Sequence, residues 1–260
     1  MKLVTLISCM HQKNHDIVSR SNVQSDCIVI NQCDIDKIDE FDFINKFGET
    51  KHCKFISTTE RGLSRSRNMA IANAPDDAIC LLCDDDEIFE VNYCQIIMEF
   101  YENNPTLDFC CFYIKRPAKK CPPKKFDVNY KNFWSIASVE ISFRRSAIIS
   151  DDIKFDTRLG SGANSCGGEE NKFILDLIKT GKKGVYMPIA IGLLLPSDVP
   201  TWFRGYTYEY FNDRAKFSRI ILGPICGRLY GLYFILNKLK LIKKINPETS
   251  ILKSLWISLR

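Results

Sequence analysis

Histidine is scarce in this chain of 260 residues: there are three, His11, His15 and His52, all in the first fifth. No Ser–His–acid triad is arguable, and nothing marks out a Cys–His pair. Long apolar runs are missing too. A membrane-spanning helix needs about 20 predominantly apolar residues. The nearest stretch, Ile220–Leu236, contains Arg228, Pro224 and three glycines and soon meets lysines from Lys238. The start carries an apolar stretch of only seven residues, Leu3–Cys9, and no secretory cleavage pattern, so the expectation is a cytosolic chain. There is no repeat and no low-complexity segment. No glycine loop is followed by the Lys-Ser/Thr of a P-loop. Cys80 and Cys83 form one C-x-x-C without a second pair at zinc spacing, so the 12 cysteines read as small core residues of a reducing compartment.

What is present is an ordinary globular composition, 45% apolar and 26% charged, which excludes a disordered chain, a collagen-like fibre and a disulfide-knotted miniprotein. The net charge of +5 is unevenly spread. From Thr201 to Arg260 there are 11 basic and 3 acidic residues, while the preceding 200 carry 25 basic and 28 acidic. A mildly acidic body is therefore followed by a basic tail, which is a partner signal.

The body reads as alternating strands and helices. Strands are expected at Val4–Cys9, Asp26–Gln32, Lys54–Ser57, Ala78–Cys83, Leu107–Ile114 and Ile136–Phe143, with two more apolar runs in Gly184–Leu195. Helices are expected at Gly62–Ala74, capped by Ser64, at Val91–Asn103 and at Glu169–Thr180. Apolar strands separated by helices predict an α/β fold, a mostly parallel sheet with helices on both faces. Lys115–Lys131, with seven basic residues and three prolines, reads as a loop or hairpin arm. Domains are expected at 1–198 and 199–260. The second is a helical extension opening on Trp202, Phe203, Tyr206, Tyr208, Tyr210 and Phe211. Its Lys238, Lys240, Lys243 and Lys244 suit a membrane surface with anionic headgroups.

Three segments carry chemistry. Asp84-Asp85-Asp86-Glu87 follows an apolar strand directly, where ligands bind in open α/β sheets. Four adjacent acids repel, and a hard divalent cation, Mn²⁺ or Mg²⁺, would relieve them while sharing its shell with phosphates. If the stretch is extended, Asp84 and Asp86 share one side and Asp85 faces away. Glu60-Arg61-Gly62-Leu63-Ser64-Arg65-Ser66-Arg67-Asn68 opens a helix, whose free N–H groups and dipole favour phosphate, with Arg61, Arg65 and Arg67 as partners for a diphosphate. The glycine-rich stretch Leu159–Gly168 leads into Glu169 and Glu170, acids on a first helical turn that suit a general base at the mouth of a pocket.

In this order the segments resemble the family 2 glycosyltransferases of GT-A fold. Arg61–Asn68 is similar to the family's G-L-S-x-A-R-N segment, Leu81–Glu87 to its strand and D-x-D motif, and Phe155–Phe173 to its acceptor-side G-E-D-x-x-F segment. The resemblance covers about residues 1–195. It implies an inverting enzyme that moves a sugar from a nucleotide-diphosphate sugar, a UDP-sugar being the expectation, to a hydroxyl of a glycan or lipid-linked saccharide at the inner face of the cell membrane. Asp84 would lie near the ribose or phosphate, with Asp85 beside it, and Asp86 together with Asp84 would hold the metal. Arg61, Arg65, Arg67 and Asn68 would bind the donor, and Glu170 would take the acceptor proton. The family commonly has an Asp-Asp-Gly-Ser type motif after its second strand. Here Asn31-Gln32-Cys33-Asp34 stands there, leaving Asp34 for the base. The acidic pair is Glu-Glu, so Glu169 shares the candidacy for general base. Many members supply a late histidine to the metal, and this chain has none. Two rivals remain at this point: a sugar-nucleotide nucleotidyltransferase, which would place a phosphate loop where Cys9-Met10-His11-Gln12 stands, and a non-enzymatic basic module for nucleic acid or membrane. The expected partners do not include nucleic acid, because no recognisable motif for it is present.

Overall fold

The computed structural model describes residues 1–116, 120–163, 167–195 and 205–260. The first half runs β1 (Leu3–Met10), α1 (Ile17–Arg20), β2 (Asp26–Gln32), β3 (Lys37–Ile44), β4 (Thr50–Thr58), α2 (Leu63–Asn73), β5 (Ile79–Asp84), β6 (Glu87–Phe89), α3 (Tyr93–Asn103) and β7 (Phe109–Lys115). The second half runs β8 (Phe126–Asp127), β9 (Ile141–Arg144), α4 (Arg145–Ile149), α5 (Glu169–Lys179), β10 (Gly184–Leu194), α6 (Tyr208–Leu222), α7 (Pro224–Ile245) and α8 (Ile251–Leu259).

One sheet holds the strands in the order β3-β4-β2-β1-β5-β9-β7-β10-β6, with β8 against β10. The block β4-β2-β1-β5 is parallel, as is β7 with β10, and antiparallel pairs join the rest. Alternating side chains split the core in two. Val4 and Leu6 of β1, Ile28 and Ile30 of β2 and Leu82 of β5 pack with Ala70 and Ile71 of α2 and Phe173 and Ile174 of α5. Ile7, Val29 and Leu81 face the other way onto Ile17 and Val18 of α1 and Tyr93 and Ile97 of α3. The period of two along a strand thus puts helices on both faces, as the sequence predicts.

Several expectations change. The third strand is longer than Lys54–Ser57, because β3 pairs with it antiparallel along its whole length. The strand at Ile136–Phe143 is shortened to β9, since Ser138–Glu140 winds into a 3₁₀ turn held by the Glu140 carboxylate on the Ala137 N–H. Ser64 does not cap α2. Gly62 occupies that position, and the buried Ser64 hydroxyl donates to the Leu159 carbonyl at 2.7 Å. Ile220–Leu236 is not one element, because Gly223 adopts φ 83° and Pro224 starts a new helix. The expected boundary between 198 and 199, and Trp202 and Phe203, lie outside the described residues.

Among the described residues no helix is long and apolar enough to cross a membrane. Helices α6, α7 and α8 share their own cluster, Tyr206, Phe211, Ile235 and Ile242. They join the body where Phe217 and Ile221 of α6 meet the start of α5 and where Tyr230 stacks on Trp134 at 4.6 Å. Cys9, Cys27, Cys53, Cys80, Cys83, Cys110 and Cys111 are buried thiols outside any disulfide, Cys33 and Cys94 are half-buried, and Cys121 and Cys226 are exposed.

Candidate active site

The parallel strands end together at Met10, Gln32, Thr58 and Asp84, and α2 and α5 begin beside those ends. Gln32 closes the corner: its Oε1 accepts from the Gly62 N–H at 2.7 Å and fixes where α2 starts. The glycine loop then lies on that helix start. The Leu63 N–H donates to the Ser161 carbonyl at 2.9 Å, and a Cβ on Gly162 would stand 3.2 Å from the Gly62 Cα. Gly162 also has φ 81°, so both space and backbone require glycine there. Residues 164–166 of the loop lie outside the described residues.

Between loop and helix start is a pocket of about 270 Å³ lined by Glu60, Arg61, Gly62, Ser64, Arg65, Thr157, Gly162 and Ala163. Arg61 reaches back to Asp34, with 2.5 Å between Nη2 and the carboxylate, and donates to the Thr58 carbonyl. Arg65 is half exposed and has only a loose 3.9 Å contact with Glu60. Two guanidinium groups at a helix N-terminus make this pocket suited to an anion.

Arg67 behaves differently. It is 1% exposed and bridges two acids: Nη2 donates to Asp84 at 2.8 Å and Nη1 to Glu169 at 3.0 Å. Burial works against its charge, and Asp84, Glu169 and Glu170 outweigh that and raise its pKa. The bridge ties the end of β5 to the start of α5. Asn68 is engaged elsewhere, its side-chain amide clamping the backbone of Phe155 through both ends.

The acidic run is not extended. Asp85 and Asp86 form a turn from β5 into β6, so the same-side argument for Asp84 and Asp86 does not apply. The repulsion is handled one acid at a time. Asp84 takes the Arg67 ion pair. Burial and the neighbouring Asp84 charge raise the pKa of Asp85 and, with Asp85 added, that of Asp86. Glu87 is 1% exposed with neither oxygen in an ordinary hydrogen bond, and burial followed by Asp84 pushes its carboxyl well up.

Glu169 and Glu170 occupy the first turn of α5, after Gly168 at φ 84°. Glu169 is buried and committed to Arg67. Glu170 is half-buried, and burial, then the Glu169 charge, pushes its pKa up to about 8. Among the described residues no three His, Cys, Asp or Glu side chains converge to hold a metal. The oxygen donors on the 84–86 turn, carrying more negative charge than they can share, fit a hard cation whose remaining ligands are phosphate and water.

Of the residues expected from the sequence, the structure joins Arg67, Asp84 and Glu169 in one bridge, with Glu170 next to it, and joins Arg61 to Asp34. It lines the pocket with Arg61 and Arg65 and leaves Asn68 in the clamp with Phe155. Gln32 was not among them. Its signal was its place as the last residue of a buried strand.

A sheet with acids at its carboxyl edge, basic groups on an adjoining helix start and a carboxyl pair opposite makes a ligand site where open α/β sheets carry theirs. The sequence profile of glycosyl transferase family 2 matches residues 17–150, and the chain belongs to that family; it is a glycosyltransferase. Among solved structures it is similar to Staphylococcus aureus TarS 1-349 in complex with UDP-GlcNAc, with TM-score 0.65, 11% identity, and 100% of this chain and 80% of that one covered. It is also similar to the same protein with UDP, with TM-score 0.57, 13% identity and coverage of 94% and 73%. The mannosyltransferase PcManGT of Pyrobaculum calidifontis, in complex with GDP-Man and Mn2+, aligns with TM-score 0.51, 12% identity and coverage of 99% and 84%. No curated protein matches the chain.

Proposed function

We propose that the protein is an inverting glycosyltransferase that moves a sugar from a nucleotide-diphosphate sugar to a hydroxyl of a glycan or lipid-linked saccharide at the cytosolic face of a membrane. The observation that carries this reading is the Arg67 bridge, which brings the Asp84–Asp86 turn and the Glu169–Glu170 pair to one edge of the sheet. The two rivals lose ground with the family assignment and with the absence of a phosphate loop after β1.

The roles of the site residues are part of the proposal. Arg61 and Arg65 hold the diphosphate over the start of α2, and Asp34, paired with Arg61, serves the base. Asp86, with Asp84, would hold a divalent cation. When bound, that cation supplies positive charge against the charge developing on the leaving diphosphate. Glu170 accepts the acceptor's hydroxyl proton, the freed oxygen bonds to the anomeric carbon, and the bond from that carbon to the diphosphate oxygen breaks. One displacement inverts the anomeric centre and releases the nucleoside diphosphate. Glu169 is spent on Arg67, which favours Glu170 as base. Arg67 positions both acids through its two terminal nitrogens. The solved neighbours with UDP-GlcNAc and GDP-Man support a nucleotide-sugar donor and define the first donors to try.

The test is donor turnover with UDP-GlcNAc, UDP-glucose and GDP-mannose, each with Mn²⁺, Mg²⁺ or EDTA. One donor is expected to turn over, to stop in EDTA and to fail in folded Asp86→Ala. Full metal-dependent turnover in that variant would sink the metal assignment. Release of pyrophosphate from a nucleoside triphosphate and a sugar phosphate would replace the proposal by the nucleotidyltransferase reading.

A further inference from the structure

The helices α7 and α8 are polarised the wrong way round for water. The buried side of α7 carries Gly227, Gly231, Ile235 and Ile242, and the buried side of α8 carries Ser254 and Ser258. A Cβ on Gly227 would stand 2.6 Å from the Arg219 backbone of α6, and one on Gly231 would stand 3.1 Å from the Ser258 Cβ. Small residues thus bring the three helices together. The large apolar side chains point outward instead: Ile225, Leu229, Tyr233 and Leu236 on α7, and Leu252, Trp256 and Leu259 on α8, all between 46% and 80% exposed. At 100° per residue the α7 group is one stripe opposite the seam with α6, and the α8 group is one stripe opposite the buried Ser254 and Ser258. Lys240 and Lys244 continue the α7 stripe toward its end, and Lys243 is held by the Pro247 and Thr249 carbonyls in the turn to α8. Residues 224–260 contain seven basic side chains and one acid, Glu248.

We propose that the α7–α8 hairpin lies flat on an anionic lipid bilayer, with these two stripes in the headgroup boundary and the lysines and arginines among the phosphates. Small residues inward and large apolar residues outward are the arrangement of helices whose outer solvent is lipid. Neither helix spans, and cationic residues along an apolar face mark an element in the plane of the interface. Charge complementarity selects the occupant: a second copy would bring its own Lys240 and Lys244, from a hairpin of net charge +6, against the same stripe, whereas anionic headgroups neutralise them. The docking rests on the proposed function only for its purpose, which is to bring the enzyme to a membrane-borne acceptor.

The experiment is co-sedimentation of the full chain with vesicles of phosphatidylcholine alone and of phosphatidylcholine with 30% phosphatidylglycerol, at physiological salt. Wild type is expected in the pellet with the anionic vesicles, at least ~10-fold more than with the neutral ones. Leu229→Ser with Trp256→Ser is expected to return the protein to the supernatant, and Lys240→Glu with Lys244→Glu to do the same. All sites lie on the surface, and unchanged circular dichroism shows the variants folded. Wild type left in the supernatant, equal pelleting with both vesicles, or full pelleting of both double variants would each overturn the proposal. So would a dimer in light scattering that the apolar variant abolishes. Donor turnover is measured on the same samples. Vesicle binding without turnover would fail the proposed function alone, and turnover without vesicle binding would fail the docking alone.

Discussion

A carboxyl on the first turn of a helix normally has a low pKa, because the free N–H groups favour its charge. Glu170 departs from that: burial and the adjacent Glu169 raise it to about 8. A base with that pKa is only about one-tenth available at pH 7, half available at about 8 and fully available well above it. We expect kcat/KM for transfer to rise with pH through about 8, and Glu170→Gln to remove that limb and lower kcat by about 10²–10⁴-fold while donor affinity, read by calorimetry, is kept. The same shift has a stability sign. The folded-state pKa lies above the unfolded one, so the contribution of Glu170 is fully present below about 4.5 and is lost as pH climbs through about 8. Glu170→Gln should therefore stabilise the protein at pH 9 relative to wild type, read as the denaturation midpoint.

Arg67 shows the opposite logic. Among the described residues it is the cation that faces two buried or half-buried acids, and removing it strands both. Arg67→Met is expected to cost about 3–5 kcal/mol in urea unfolding, as breaking buried ion pairs does. No sequence pattern announced this bridge. Arg67 is 17 positions from Asp84 and 102 from Glu169, and pairing over such distances is decided by how the sheet brings β5 and α5 together. The residue types of the site were legible. Their division of labour, with Arg67 and Glu169 spent on each other and Glu170 left free, was not.

At the scale of elements, what the sequence displays depends on how completely an element is buried. The strands β1, β2, β5 and β7 have helices or core on both faces and stand out as apolar runs. The edge strand β3, Lys-Ile-Asp-Glu-Phe-Asp-Phe-Ile, leaves most of its side chains to water and carries four charges, so no apolar run marks it. The turn at Asp85–Asp86 was hidden for another reason. An acid run can be extended or turned, and only the return of β6 toward β10 settles it. Gly168 joins two elements. A Cβ there would sit 3.1 Å from Ile221 and 3.2 Å from Phe217 of α6, at a φ that favours glycine. Gly168→Ala should cost about 2 kcal/mol in thermal or chemical unfolding through strain and overpacking. It should also reduce kcat, because the displaced turn carries Glu169 and Glu170.

For the whole molecule, the charge asymmetry legible in the sequence becomes spatial: acids collect at the carboxyl edge of the sheet and cations on the C-terminal hairpin. The thiols are sorted as well. Burial raises Cys9 and Cys80 to about 12 and pushes Cys83 and Cys110 well up, and a hydrogen bond with Cys53, then burial, does the same to Cys27, so these react slowly with electrophiles. Of the described thiols only Cys121 and Cys226 are exposed, and Cys226 is on α7 beside Ile225. Nature has in effect left the chain with a labelling handle at the docking face and a reference handle on the body. A maleimide time course should tag both in buffer, and anionic vesicles should slow Cys226 while leaving Cys121 unchanged. A fluorophore placed at Cys226 in the Cys121→Ser background would then follow arrival at the membrane in real time, with no cysteine added.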